Sequence, residues 1–391
     1  MGEVIKGYLE KDVKLKISII GVGNAGNQIV EKAIADKYPV FAINSSIKDL
    51  SDSIINEEIP AFIIGNEARG AGKNREKAKE LFKLNGKDLF GVSDFSDMVN
   101  SSDVIFVVAA TSGGTGSGVS PELIKLFTNI YPNKNIIFYG ILPKLSDSIM
   151  AQANTIQCMS EITECNVPYL LADLMYYEDI PNNVAYDEIG KHIMESINII
   201  RGDYLNPSNS GMIDENDMRT IIWESGYMAT FMLNNMTMAQ VDKFSIQSYM
   251  INKIKNSPAV QIQRDKIIKQ LGVIVNCPDE MMEATRTGNY NELTEYAGIP
   301  LSIFENYSVA DANYGQFITI LSGMSLPYSR ISLSKNKIAQ HEELLKRTKK
   351  VDLTADVGSI EFLNNRSHKI ITEKDKDEPK INNGILDKYF N

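Results

Sequence analysis

Seven consecutive residues, Ser112-Gly113-Gly114-Thr115-Gly116-Ser117-Gly118, have the composition of an anion cradle. Glycines let the backbone fold back so that several N–H groups converge on one point. Thr115 and Ser117 add hydroxyl donors. The stretch lies between an apolar, β-branched run at 104–110, which reads as a buried strand, and residues 121–127, which have helical spacing. A helix N-terminus adds partial positive charge to such a loop. The chemistry on offer is phosphate binding. A flexible linker is the bland alternative, but linkers do not usually sit tightly between a buried strand and a helix. A Walker loop is excluded. It needs Lys followed by Ser or Thr, whereas Gly72-Lys73 is followed by Asn74.

A second glycine group, Gly21-Val22-Gly23-Asn24-Ala25-Gly26, follows an apolar run at 15–20, and a helix is expected from Asn27-Gln28-Ile29-Val30. Taken literally this is the dinucleotide fingerprint, which also requires an acidic residue at the end of the second strand. That strand, at 39–43, ends in Asn44-Ser45-Ser46, where an amide suits a ribose contact better than the NAD pattern. A third glycine-rich loop spans 65–76 and contains Gly70-Ala71-Gly72-Lys73-Asn74. Lys73 can face a phosphate or simply face solvent. Further strands at 135–143 and 167–173 end near Asp147 and at Asp173, with a helix at 149–163 between them. Repeated strand–helix alternation predicts an α/β, doubly wound parallel sheet whose loops converge at the strands' carboxyl ends.

Apolar Val184, Ile189, Ile193, Met194, Ile197 and Ile200 mark a long helix over 183–200. Beyond it, Asp214 and Asp217 enter another helix with the spacing of a helix cap. Strands at 271–277 and 315–321 and a charged helix at 335–350 describe a second, smaller α/β unit. The end of the chain is polar and charge-mixed, which reads as a disordered tail, and it finishes in the apolar cluster Ile385-Leu386-Asp387-Lys388-Tyr389-Phe390.

The net charge of −10 argues against direct nucleic-acid binding. Three cysteines and three histidines are too scattered for a disulfide framework or a zinc site. The N-terminus lacks an apolar signal region, and Lys6 stands where a myristoylation motif wants Ser or Thr after Gly2. A cytoplasmic protein without a membrane span is expected.

The seven-residue loop resembles the signature loop of the tubulin/FtsZ superfamily, with Ser112 in place of the usual first glycine. Residues 23–30 are similar to tubulin's first loop. Residues 70–76 are similar to the γ-phosphate loop of FtsZ, with Lys73 and Arg75 replacing Ala and Pro. The resemblance covers roughly 15–350. It implies GTP/GDP with Mg²⁺, held by Gly23, Asn24, Ala25, Gln28, Asn44, Gly70, Ala71, Gly72, Asn74, Ser112, Gly113, Gly114, Thr115, Gly116, Ser117, Asp147, Asp173 and Asn183. It places Asp187 at the guanine edge and leaves the stacking aromatic open among Tyr176, Tyr177 and Tyr186. It implies that Asp214 and Asp217 are catalytic on a neighbouring subunit's nucleotide, although Met212 replaces the usual Asn. The implied divisions are a GTP-binding domain at 1–182, a central helix at 183–203, a C-terminal domain at 204–330, a helix at 331–350 and a flexible tail at 351–391. The strand–Gly-x-x-Leu-Pro–helix ending resembles the TubZ branch. That implies a head-to-tail filament for plasmid or phage DNA partition, linked through its tail to a DNA-binding centromere adaptor of the TubR type. An FtsZ-like division protein, a non-hydrolysing nucleotide-binding scaffold and an NAD-dependent oxidoreductase are the alternatives.

Overall fold

Runs of Val and Ile at 17–22, 104–110 and 136–142 are apolar on consecutive residues, so their strands must be covered on both faces. A computed structural model describes residues 14–56, 58–65, 70–207, 212–243, 246–262, 267–285 and 290–351. The expected tail cluster, the Gly2 and Lys6 positions and part of the loop at 65–76 lie outside these residues. The first half consists of β1 (Ile17–Val22), α1 (Gly23–Ala35), β2 (Val40–Asn44), α2 (Asp52–Ile55), β3 (Ala61–Ile63), α3 (Arg75–Asn85), α4 (Ser93–Ser101), β4 (Val104–Ala110), α5 (Thr115–Ile130), β5 (Asn135–Leu142), α6 (Ile149–Glu164) and β6 (Pro168–Asp173). Then come α7 (Asn182–Arg201), α8 (Glu215–Trp223), β7 (Gly226–Met236), α9 (Met238–Lys243), α10 (Ile246–Lys255), β8 (Ile267–Cys277), α11 (Asp279–Thr285), α12 (Asn291–Ala297), β9 (Ile299–Val309), β10 (Gly315–Met324) and α13 (Tyr328–Val351).

The strands form one sheet in the order β3-β2-β1-β4-β5-β6-β7-β10-β8-β9. Strands β1 to β6 pair in parallel. Their side chains alternate between two buried layers: Ile20 and Val22 lie in one, Ile17 and Ile19 in the other. The second half joins through a short seam, with only Pro168–Gly226 and Tyr169–Tyr227 in register. Beyond it β10 runs antiparallel to both β7 and β8.

Helix α7 is the spacer of the molecule. Its stripe of Ala185, Ile189, Ile193, Met194, Ile197 and Ile200 is buried. Its 20 residues span about 30 Å at 1.5 Å per residue. It starts just after β6, at the sheet's carboxyl edge. It ends where Arg201 O accepts from Leu15 N, just before β1, at the amino edge. Gly202 closes it in the left-handed conformation, φ +93°.

The C-terminal helix begins at Tyr328, before the expected 331 and 335. The Pro327 carbonyl accepts from Ile331 N and so opens the first turn. Arg330, on that turn, reaches back to the end of β6. None of the helices among the described residues is long and apolar enough to cross a membrane.

Candidate nucleotide site

Three glycine-rich segments meet at the carboxyl edge of β1, β2 and β4. The first differs from expectation in where its helix begins. Helix α1 starts at Gly23, φ +73°, not at Asn27. Close packing imposes this. A Cβ on Gly26 would lie 2.3 Å from Val108 O, and one on Gly21 would lie 2.4 Å from Gly26 O. These two glycines bring the helix against the sheet, and Gly23 comes up to Gly116 N at 3.0 Å from its notional Cβ. Asn24 and Gln28 are exposed on the outer side of α1, and Ala25 is half-buried. Gly26→Ala is expected to cost about 1–3 kcal/mol through overpacking against backbone that cannot yield. Denaturant unfolding reads this directly, and an unchanged midpoint would show that α1 has room to move.

In the signature loop, too, the helix begins early. Helix α5 starts at Thr115 and encloses Pro121. Proline lacks an N–H, so it frees the carbonyl four residues back. That carbonyl, Ser117 O, accepts instead from Arg75 Nη2 at 2.9 Å. The Ser117 side chain is fully buried, and its hydroxyl donates to Gly113 O. Thr115 Oγ1 lies 2.6 Å from Ser45 Oγ.

The third segment is fastened to the second strand. Gly70 N donates to Ser45 O at 2.8 Å, and Ala71 N to Ser45 Oγ at 3.1 Å. Gly70, Gly72 and Lys73 all take positive φ. Asn74 accepts from Lys77 N at 3.0 Å and caps α3, so its side chain serves the helix. Lys73 is exposed. Asn44 is buried at the end of β2, and its Oδ1 accepts from Ser45 N. Asn154, on α6, donates to Lys73 O, Ser112 O and Gly113 O at 3.0–3.1 Å. Sequence reasoning singled out neither Ser45 as a staple nor Asn154. The available signal was the run of buried polar residues Gln152, Asn154 and Thr155 interrupting the apolar face of α6.

On the other flank, Asn183 is exposed in the first turn of α7. Asp187 Oδ1 is 2.5 Å from Lys32 Nζ, and its Oδ2 is 3.1 Å from Lys191 Nζ. Hydrogen bonds from Lys32 first and then Lys191 hold this exposed carboxyl below the ordinary aspartate range. Lys32 crosses α7 at Gly190, where a Cβ would lie 2.4 Å from Lys32 Cε. Tyr186 packs on the apolar layer, and burial pushes its phenol up to about 12. Tyr176 and Tyr177 meet edge to face at 5.0 Å, with Tyr176 half-exposed. Asp147 shapes the loop after β5 by accepting from Lys144 N at 3.0 Å.

Asp173 lies at the end of β6. Its carboxylate is buried and held by Arg330 Nε at 2.5 Å and Nη2 at 2.9 Å, with Met175 N as a third donor at 3.0 Å. These bonds dock the first turn of α13 on the end of β6. A strand-terminal aspartate looks the same in sequence whichever partner folds onto it.

Asp214 and Asp217 stand at the opposite edge. They form a reciprocal cap on α8: Asp214 Oδ1 accepts from Asp217 N at 2.8 Å, and Asp217 Oδ2 from Asp214 N at 3.1 Å. One oxygen of each remains outside the cap. Arg219 on the same helix reaches Asp103, just before β4, at 3.1 Å, which fixes α8 at the amino edge. Met212 beside them is 64% exposed. No cluster of three or more His, Cys, Asp or Glu suited to a metal occurs among the described residues.

The order β3-β2-β1-β4-β5-β6 is shared with dinucleotide-binding folds. What separates this site from them is the second cradle after β4, the amide at Asn44 and the long spacer α7. Residues 16–171 match the model of the Tubulin/FtsZ family, GTPase domain. Over 378 residues the chain is 25% identical to "Tubulin-like protein TubZ" of Clostridium botulinum C phage, covering 95% of this chain and 96% of the relative. The fold is that of a GTPγS-form protofilament of Bacillus thuringiensis serovar israelensis TubZ, at TM-score 0.69 and 19% identity over 88% of this chain and 96% of that one. CetZ2 from Haloferax volcanii, as a GTPγS-bound protofilament, superposes at TM-score 0.67 and 15% identity over 84% of this chain and 100% of that one.

Proposed function

We propose that the chain binds GTP across the three loops, assembles head to tail and hydrolyses the nucleotide at the junction between subunits. The observation that carries this reading is the separation of the cradle from Asp214 and Asp217 by the length of α7. Carboxylates about 30 Å from the loops cannot serve the phosphates of their own chain. Stacking one subunit's amino edge on the next subunit's carboxyl edge brings them together. The TubZ and CetZ2 structures with GTPγS are protofilaments, which supports the same arrangement.

Loop amides and the N-terminus of α5 hold the phosphates and the charge that develops on them. Mg²⁺ fits a site of this kind, because it takes few protein ligands and completes its shell with phosphates and water. The Ser45 and Thr115 hydroxyls lie where the loops meet. When bound, the ion would neutralise charge on the transferring phosphoryl group. A carboxylate from the neighbour orients the attacking water and accepts its proton.

The biological reading is DNA partition on a plasmid or phage. The tail at 351–391 recruits a DNA-binding adaptor, since the net charge of −10 disfavours direct contact with DNA. A chain ending at 350 should still bind GTP but lose the adaptor–DNA complex in a pull-down.

Calorimetry with GDP, ADP and NAD tests the ligand class. GDP is expected to bind at least about tenfold more tightly than ADP, through hydrogen bonds to a guanine edge that adenine lacks. Equal affinities would remove the guanine assignment. High-speed pelleting with GTP but not GDP is the expected sign of assembly.

A further inference from the structure

The two cradle loops touch. A Cβ on Gly114 would lie 3.0 Å from both Asn74 N and Lys73 Cα. Besides the Ser45 and Arg75 bonds, one buried amide bonds to both loops. Asn154 is 3% exposed on α6, and its Nδ2 lies 3.0 Å from Lys73 O, 3.1 Å from Ser112 O and 3.1 Å from Gly113 O. Carbonyl oxygens only accept, so it must be the amide nitrogen that faces them.

In a planar trans peptide the N–H of the next residue points away from the C=O. Drawing the Ser112 and Gly113 carbonyls toward Asn154 therefore turns the Gly113 and Gly114 N–H groups to the opposite side. Among the described residues neither N–H meets a hydrogen-bond acceptor. The bond to Lys73 O fixes a residue at φ +62°, a conformation that non-glycine residues rarely adopt.

We propose that Asn154 is a positioning residue for phosphate recognition. By anchoring three carbonyls behind the loops, it aims their amides at the phosphate chain of a nucleotide and keeps the third loop closed against the signature loop. This rests on the proposed binding of a guanine nucleotide at these loops. Asn154 itself contacts no ligand, so its influence falls on the phosphates and not on the base.

The test compares GTPγS, GDP and GMP binding to wild type, Asn154→Ala and Asn154→Asp, with thermal unfolding of each chain as a control for folding. Alanine removes the donor. Aspartate keeps the shape but sets a carboxylate against three carbonyl oxygens. Affinity for GTPγS and GDP should fall about tenfold in Asn154→Ala, as for one or two lost hydrogen bonds, and further in Asn154→Asp. GMP affinity should stay within about twofold, because its single phosphate draws least on the aimed amides. A purely packing role predicts the reverse order, with the isosteric aspartate milder than alanine, and all three ligands affected alike. Either of those results overturns the proposal. Wild type that discriminates GDP from GMP while the variants keep the same ratio overturns the Asn154 role alone. Wild type that binds no guanine nucleotide overturns the site assignment, and this role with it.

Discussion

Asp217→Ala is expected to bind GTP and form filaments like wild type while turning over about 10²–10⁴-fold more slowly, the usual contribution of a positioned general base. Asp214→Ala should behave alike, and each change should also cost up to about 1 kcal/mol of stability, because the two aspartates cap α8 reciprocally. Filaments of either variant should fail to disassemble after GTP addition. The trans arrangement makes a sharper demand. A Thr115→Ala chain has a damaged cradle but intact aspartates, and an Asp217→Ala chain has the opposite. Each alone should be nearly inactive. Mixed, they should recover activity, since every junction that pairs an Asp217→Ala nucleotide with a Thr115→Ala neighbour is complete. Specific activity of wild type should also fall on dilution below the assembly threshold. If the mixture stays inactive and the diluted wild type keeps its rate, the site is complete within one chain and the trans reading fails.

Arg330→Ala is expected to cost about 3–5 kcal/mol, as does removing one partner of a buried ion pair. The guanidinium is 3% exposed and grips both Asp173 oxygens, and its Nη2 also reaches Pro143 O at 2.5 Å. The network continues through Ser334 Oγ to Gln152 Oε1 at 2.7 Å, and from Gln152 Nε2 to Lys144 O at 2.7 Å. Without Arg330 the buried carboxylate keeps only Met175 N, and α13 loses its bond to Pro143 O, leaving Lys337 Nζ to Asp147 O on the loop after β5.

Burial, the largest influence, already lifts the Asp173 carboxyl above the ordinary aspartate value, against the pull of Arg330. In the variant the lift is greater. A carboxyl with a raised folded pKa favours the fold below its unfolded pKa and loses that contribution as pH rises through the folded value. The deficit against wild type should therefore be largest near neutral pH and shrink toward about pH 4. Urea unfolding at several pH values reads both effects. An apolar pair, Arg330→Met with Asp173→Leu, should regain most of the loss. A single-variant loss below about 1 kcal/mol, typical of a surface pair, would show that the docking contributes little.

The sequence by itself determined the parallel sheet, the three glycine loops at its carboxyl edge and the long spacer helix. Those features rest on local rules: apolar runs need cover on both faces, tight turns need glycine, and a 3.6-residue period marks a helix. The starts of α1 and α5 escaped those rules. Gly23–Gly26 and Thr115–Gly118 look like loop by composition, and only packing against Val108 O and the Arg75 bond to Ser117 O makes them helical. The partners of polar side chains were decided by tertiary structure alone. Asp173 meets Arg330 across 157 residues, Asn154 meets Lys73 across 81, and Ser45 meets Thr115 across 70. A side chain's type states what it can bond. Only the folded neighbourhood, where an unpaired buried group is costly, decides which bond it makes.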